Sequence, residues 1–121
     1  MSKSVLVVED QPEIRDLIRI TLEMGGYRVS EAGDGQAALT MAEQSPYDLV
    51  LLDVRMPGKL DGLAVCEQLK RSHKHRRTKV IMLSSCDQSA DVQAGRVAGA
   101  DKYLTKPFSP RELLSVVSAA V

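Results

Sequence analysis

Aromatic residues are almost absent from this chain. Among 121 residues there is no tryptophan, one phenylalanine and three tyrosines, too few for a base-stacking platform. Surplus charge is absent as well. Sixteen Lys and Arg balance sixteen Asp and Glu, and a general nucleic-acid binder needs an excess of cations to displace counterions from phosphates. No direct nucleic-acid contact is therefore expected. Apolar runs stop at about four residues, far short of the roughly 20 that span a bilayer, so no membrane partner is expected. The run after Met1-Ser2-Lys3-Ser4 ends at Glu9, too soon for a secretory signal. The expected location is the cytoplasm. Cys66 and Cys86 form no CxxC pair and read as free thiols of a reducing compartment.

What remains is 44% hydrophobic and 26% charged, enough for one buried core and one domain over residues 1–121. The apolar pattern alternates in kind. Val5 to Val8, Leu49 to Leu52 and Val80 to Leu83 are continuous apolar runs, the mark of strands buried on both faces. Tyr27 to Glu31 and Lys102 to Leu104 are mixed, as edge strands are. Helical spacing lies between them: Ile14, Leu17, Ile18 and Leu22 after Pro12; Ala38, Met41 and Ala42 after Asp34; Leu63, Cys66 and Leu69 after the Met56–Lys59 loop. A weaker fourth helix, interrupted by Gly95, is expected from Asp87 to Val97. Ser109-Pro110-Arg111-Glu112 reads as a capping box before Leu113, Leu114, Val117 and Ala120. Five βα units imply a parallel sheet with helices on both faces. Right-handed crossovers and central apolar strands give the order 2-1-3-4-5, a flavodoxin-like, doubly wound (βα)5 fold.

In such a sheet every strand ends at one rim. Glu9-Asp10 follow the first strand, Asp53 the third, Ser84-Ser85 the fourth and Lys106-Pro107 the fifth. Three carboxylates in one place repel, by roughly 1 to 4 kcal/mol per pair at about 4 Å. Lys106 offsets part of that. A hard divalent cation would offset the rest, and Mg²⁺ suits an all-oxygen shell that keeps its waters.

These residues resemble the receiver domains of two-component response regulators, the chemotaxis regulators among them. The matching pieces are Glu9-Asp10, Asp53, Met56-Pro57 with Asp61-Gly62, Ser84, Tyr103 and Lys106-Pro107-Phe108. The resemblance implies a phosphoaccepting switch rather than a conventional enzyme, one that assists its own phosphorylation and dephosphorylation. Asp53 would take a phosphoryl group from a histidine kinase or a histidine phosphotransfer protein. Asp10, Asp53 and the Arg55 carbonyl would ligate Mg²⁺, with Glu9 holding a metal-bound water. Lys106 and Ser84 would hold phosphoryl oxygens, and Tyr103 would change rotamer as Ser84 moves. It also implies a cis bond between Lys106 and Pro107. The altered face, made by the fourth helix, fifth strand and last helix, would meet a downstream effector or a second copy in a homodimer. The turn from Met56 to Gly62 is one residue longer than is usual in the family.

Other classes fit less well. A receiver-like module that is never phosphorylated would not need the full acid set with Ser84 and Lys106. A haloacid-dehalogenase-type phosphatase wants a second acid at position 55, where Arg stands. A flavodoxin would not place Glu9-Asp10 where a phosphate must sit. The cationic stretch from Lys70 to Lys79 falls at the opposite end of the sheet. It reads as a solvated loop, or as a docking patch for an acidic partner.

Overall fold

The structure is a computed structural model that describes residues 2–54, 56, 58, 60–75, 77–85 and 99–121, with the backbone alone at 73 and 85. Five strands are present: β1 (Ser4–Val8), β2 (Arg28–Ala32), β3 (Leu49–Asp53), β4 (Lys79–Ser85) and β5 (Lys102–Lys106). Four helices are described: α1 (Pro12–Met24), α2 (Gly35–Gln44), α3 (Gly62–Arg71) and α4 (Pro110–Ala120), with a short 3₁₀ turn at His73–His75. The sheet order is β2-β1-β3-β4-β5, parallel throughout. The fold class and the edge positions of the two mixed strands are as the apolar pattern predicts. The fourth predicted helix, Asp87 to Val97, and Cys86 lie outside the described residues.

Side-chain alternation splits the apolar strands into two cores. Leu6, Val8, Val50, Leu52, Val80 and Met82 face α2 and α3, where Ala38, Ala42, Val65, Cys66 and Leu69 meet them. Val5, Val7, Leu49, Leu51, Ile81, Leu83 and Leu104 face α1 and α4, against Ile18, Leu22, Leu113 and Val117. Strands that supply both cores must be apolar at every position. Burial pushes the Cys66 thiol up to about 11, so it packs as a small neutral hydrophobe.

The helix stripes are narrower than their spacing suggests. Leu17 is 48% exposed although it shares the spacing of Ile18 and Leu22, which are fully buried. At about 100° per residue, Leu17 falls on the rim of the arc that Ile18 fills. Leu63 is likewise half-buried, and Val65 takes the inner place beside Cys66.

Local caps set where the helices begin. Asp34 accepts from the Ala37 N–H at 2.8 Å and Asp61 from the Ala64 N–H at 2.9 Å. The capping box at α4 is complete: the Glu112 N–H donates to Ser109 Oγ at 3.1 Å, and the Ser109 N–H to Glu112 Oε1 at 3.0 Å. Ser109→Ala is expected to lower stability by about 1 kcal/mol in urea unfolding, the usual loss for an N-cap hydroxyl. An unchanged midpoint would show that Pro110 and packing alone hold this helix start.

Candidate functional site

The strand termini bring their chemistry to one rim. Val8 pairs with Leu52, and Asp53 lies in register with Leu83. Glu9 and Asp10 thus emerge beside Asp53, and Ser84 stands one residue past Asp53's partner on β4. Ser85 pairs with Lys106, so β5 carries Lys106 to the same edge. The sequence pattern had β5 stop at Leu104. The ladder runs two residues further, and that extension delivers the lysine.

Glu9, Asp10 and Asp53 each offer a carboxylate oxygen, all within 4.8 Å of one another. Lys106 Nζ bridges two of them, donating to Glu9 Oε1 at 2.7 Å and to Asp53 Oδ2 at 2.9 Å. The Asp10 N–H donates to Glu9 Oε2 at 3.2 Å, and Arg15 Nη1 donates to the Glu9 carbonyl at 2.7 Å. Glu9 has no exposed surface and Asp53 only 7%. The Lys106–Pro107 bond is cis, in agreement with the resemblance.

The electrostatics follow from this crowding. Burial drives the Glu9 carboxyl up to about 8, with Asp53 pushing the same way and Lys106 pulling back. For Lys106, burial pulls downward, but hydrogen bonds and charge from Glu9 and Asp53 more than offset it and hold the ammonium above its ordinary value. One ammonium among three carboxylates leaves two negative charges uncompensated when all are ionised. An all-oxygen donor set with that deficit fits a hard divalent cation.

Ser84 is 2% exposed. Tyr103 pairs with Met82 across the β4–β5 ladder and packs, half-buried, on the core that faces α2 and α3. Arg55 lies outside the described residues, so the expectation for its carbonyl does too.

Glycine 62 was legible only as part of a motif. Its structural reason is steric. A Cβ at Gly62 would stand 2.0 Å from the Asp53 carbonyl oxygen, because α3 begins directly against the end of β3. The Gly62 N–H donates to the Val54 carbonyl at 3.1 Å, and the Val54 N–H to the Leu83 carbonyl at 2.9 Å. Arg15, which reaches from α1 to the Glu9 carbonyl, gave no local signal, because its partner is a main-chain atom.

Known proteins match this arrangement. The family model for the response regulator receiver domain matches residues 5–118. The alkaline phosphatase synthesis transcriptional regulatory protein PhoP of Bacillus subtilis is 44% identical over 98% of this chain and 48% of its own length. The DNA-binding dual master transcriptional regulator RpaA of Synechocystis is 43% identical over 95% of this chain and 47% of its own length. The chain thus spans about half the length of the curated relatives it matches. The chemotaxis protein CheY4 of Vibrio cholerae superposes with a TM-score of 0.94 at 30% identity, covering 100% of both chains.

Gly62→Ala is expected to cost about 1–3 kcal/mol through overpacking and to displace Asp53. Gly58→Ala is the control: φ is +98° there with nothing within 4 Å of the added Cβ, so only the left-handed backbone penalty of roughly 1–2 kcal/mol applies. Chemical denaturation measures both costs. Metal-dependent stabilisation should fall in Gly62→Ala alone; equal metal responses in the two variants would refute the steric account.

Proposed function

This chain belongs to the response regulator receiver domain family, and from that premise we propose that Asp53 is its phosphoacceptor within a single receiver domain over residues 1–121. Receiver domains are signalling domains of two-component systems, not classical enzymes. The observation that carries the proposal is the Lys106 bridge between Glu9 and Asp53 at the end of a fully buried central strand. Phosphoryl transfer asks mainly for positioning and charge neutralisation, and a rigid strand terminus with an adjacent ammonium supplies both.

In the proposed reaction an Asp53 carboxylate oxygen attacks phosphorus, and the bond to the donor's leaving group breaks. For a histidine kinase or phosphotransfer protein that group is an imidazole nitrogen. Lys106, already on Asp53 Oδ2, turns to an equatorial phosphoryl oxygen as charge builds there. The Ser84 hydroxyl donates to another. Asp10 and Asp53, with the Arg55 carbonyl, are the proposed Mg²⁺ ligands, and Glu9 the anchor of a metal-bound water. The cation when bound would neutralise the surplus carboxylate charge and orient the donor's oxygens. The same groups would assist water in removing the phosphoryl group later.

A phosphoryl group adds about 1.5 to 2 negative charges beside Ser84 and Lys106. Tyr103 is the proposed reporter of their shift, altering the surface of β5 and α4 together with the segment 86–98. That surface would meet an effector or a second copy. The relatives' names point to transcriptional control, and RpaA's to DNA binding. Any contact of this protein with DNA would come from outside this chain, which is neutral overall. No helix among the described residues is long and apolar enough to cross a membrane, and a cytoplasmic location is proposed.

Intact-mass measurement with a small phosphodonor tests the acceptor. Wild type should gain one phosphoryl group in Mg²⁺ and little in EDTA, while Asp53→Asn should gain none. Equal labelling of the variant would refute the assignment. Asp10→Ala should lose at least about tenfold in Mg²⁺ affinity by calorimetric titration, as removal of a carboxylate ligand weakens a hard-cation site. Undiminished affinity would remove Asp10 from the ligand set.

A further inference from the structure

The end of the sheet opposite the phosphoacceptor has its own charge. Six Lys and Arg fall from Lys70 to Lys79, with no Asp or Glu among them. Part of that charge is consumed internally. Lys70 pairs with Asp101 at 2.7 Å and donates to the Thr78 carbonyl at 3.0 Å, tying α3 to the start of β5. Arg71 pairs with Glu67 along its own helix.

Two of the other cations, Lys74 and Arg77, line a cleft. Arg28 from the start of β2, Lys74 from the 3₁₀ turn and Arg77 from the approach to β4 border a cavity of about 440 Å³ with Tyr47 and Asp48. Four stretches of chain converge there, at Ser4, at Arg28, at Pro46–Asp48 and between Lys74 and Thr78. Among the described residues, neither Arg28 nor Arg77 has a carboxylate within ion-pair distance. Lys74 spends one donor on the Glu43 carbonyl and keeps two. Among the described residues, Asp48 is the one acid in the wall. Its Oδ2 accepts from the Ser4 N–H at 2.8 Å and from Ser4 Oγ at 3.2 Å, which directs its charge into the start of β1. Arg28, Pro46 and Tyr47 also border an adjoining cavity of about 410 Å³.

We propose that this cleft is a binding site for a nucleoside phosphate, distinct from the phosphoacceptor rim. The phosphates would lie among Arg28, Lys74 and Arg77, where guanidinium forks suit phosphate oxygens. The ring would lie in the adjoining cavity along Tyr47 and Pro46. Each cavity falls in the size range of small-ligand pockets, more room than an inorganic phosphate needs, and Tyr47, which borders both, is the aromatic side chain that a flat ring would meet.

The test uses Asp53→Asn in EDTA, so that neither phosphorylation nor metal contributes. ATP, GTP and pyrophosphate are titrated by calorimetry and by amide chemical shifts. Both nucleotides should bind, more tightly than pyrophosphate, and more weakly as salt rises. Shifts should concentrate at Arg28, Tyr47–Asp48 and Lys74–Thr78. Arg28→Ala with Arg77→Ala should weaken binding by at least about tenfold, since two charge-assisted contacts are lost. Both side chains are exposed, so the double variant should keep the parent's unfolding midpoint. Absent binding, undiminished binding by the double variant, or shifts confined to the Asp53 rim would overturn the site. Pyrophosphate binding as tight as ATP would overturn the nucleoside part.

Discussion

One lysine between buried carboxylates governs this molecule. Lys106 touches Glu9 and Asp53 at once, and neither acid has water enough to spread its charge. Removing one partner of such a cluster leaves the others in a medium that cannot solvate them. The three termini that carry these groups are therefore held to one another by charge as well as by the ladder. The same cluster is over-supplied with acid, and this gives the site an appetite for positive charge. Tension of that kind sits at functional rims because it can be relieved in more than one way.

The rest of the fold serves to keep that rim rigid. Central strands that supply both cores have no freedom to twist away, and each strand terminus inherits the position of the layers beneath it. Arg15 adds a brace from α1, reaching the Glu9 carbonyl while pairing with Glu31 on β2. Arg19 meets Glu31 at 2.7 Å as well. These pairs are partly exposed, and their energetic share is small. Their value is directional, because they tie the first loop to the neighbouring edge strand.

Much of this was legible in the amino-acid order, and the reason is periodicity. Val5–Val8, Leu49–Leu52 and Val80–Leu83 announce doubly covered strands without any tertiary information. Asp34 and Ser109 announce helix starts by the same local chemistry that the structure uses. The convergence of Glu9, Asp10, Asp53 and Lys106 then follows from strand direction alone. Illegible features depend on main-chain partners or on close approach. Arg15 bonds a carbonyl, β5 continues to Lys106 because β4 offers a partner, and Leu17 turns outward because Ile18 takes the inner arc. The first two are not encoded in spacing; the third is, once the arc is counted at about 100° per residue. Residue types announce side-chain chemistry, but main-chain hydrogen bonds are anonymous until the fold assembles them.

The contact between Gly62 and the Asp53 carbonyl bears on how such a chain can change over generations. Main-chain bonds at Val54 and Gly62 clamp the intervening loop's first end onto β4 and its two ends onto each other. Closing a loop of one more residue costs very little chain entropy. A clamp of this kind absorbs insertions: length can drift between Val54 and Gly62 while Asp53 keeps its place in the ladder. A Met56–Gly62 turn one residue longer than the resemblance leads one to expect would thus be compatible with an intact rim. Loop length between the two bonds then bears little on the rim, and the close approach of Gly62 to Asp53 is the point that holds it.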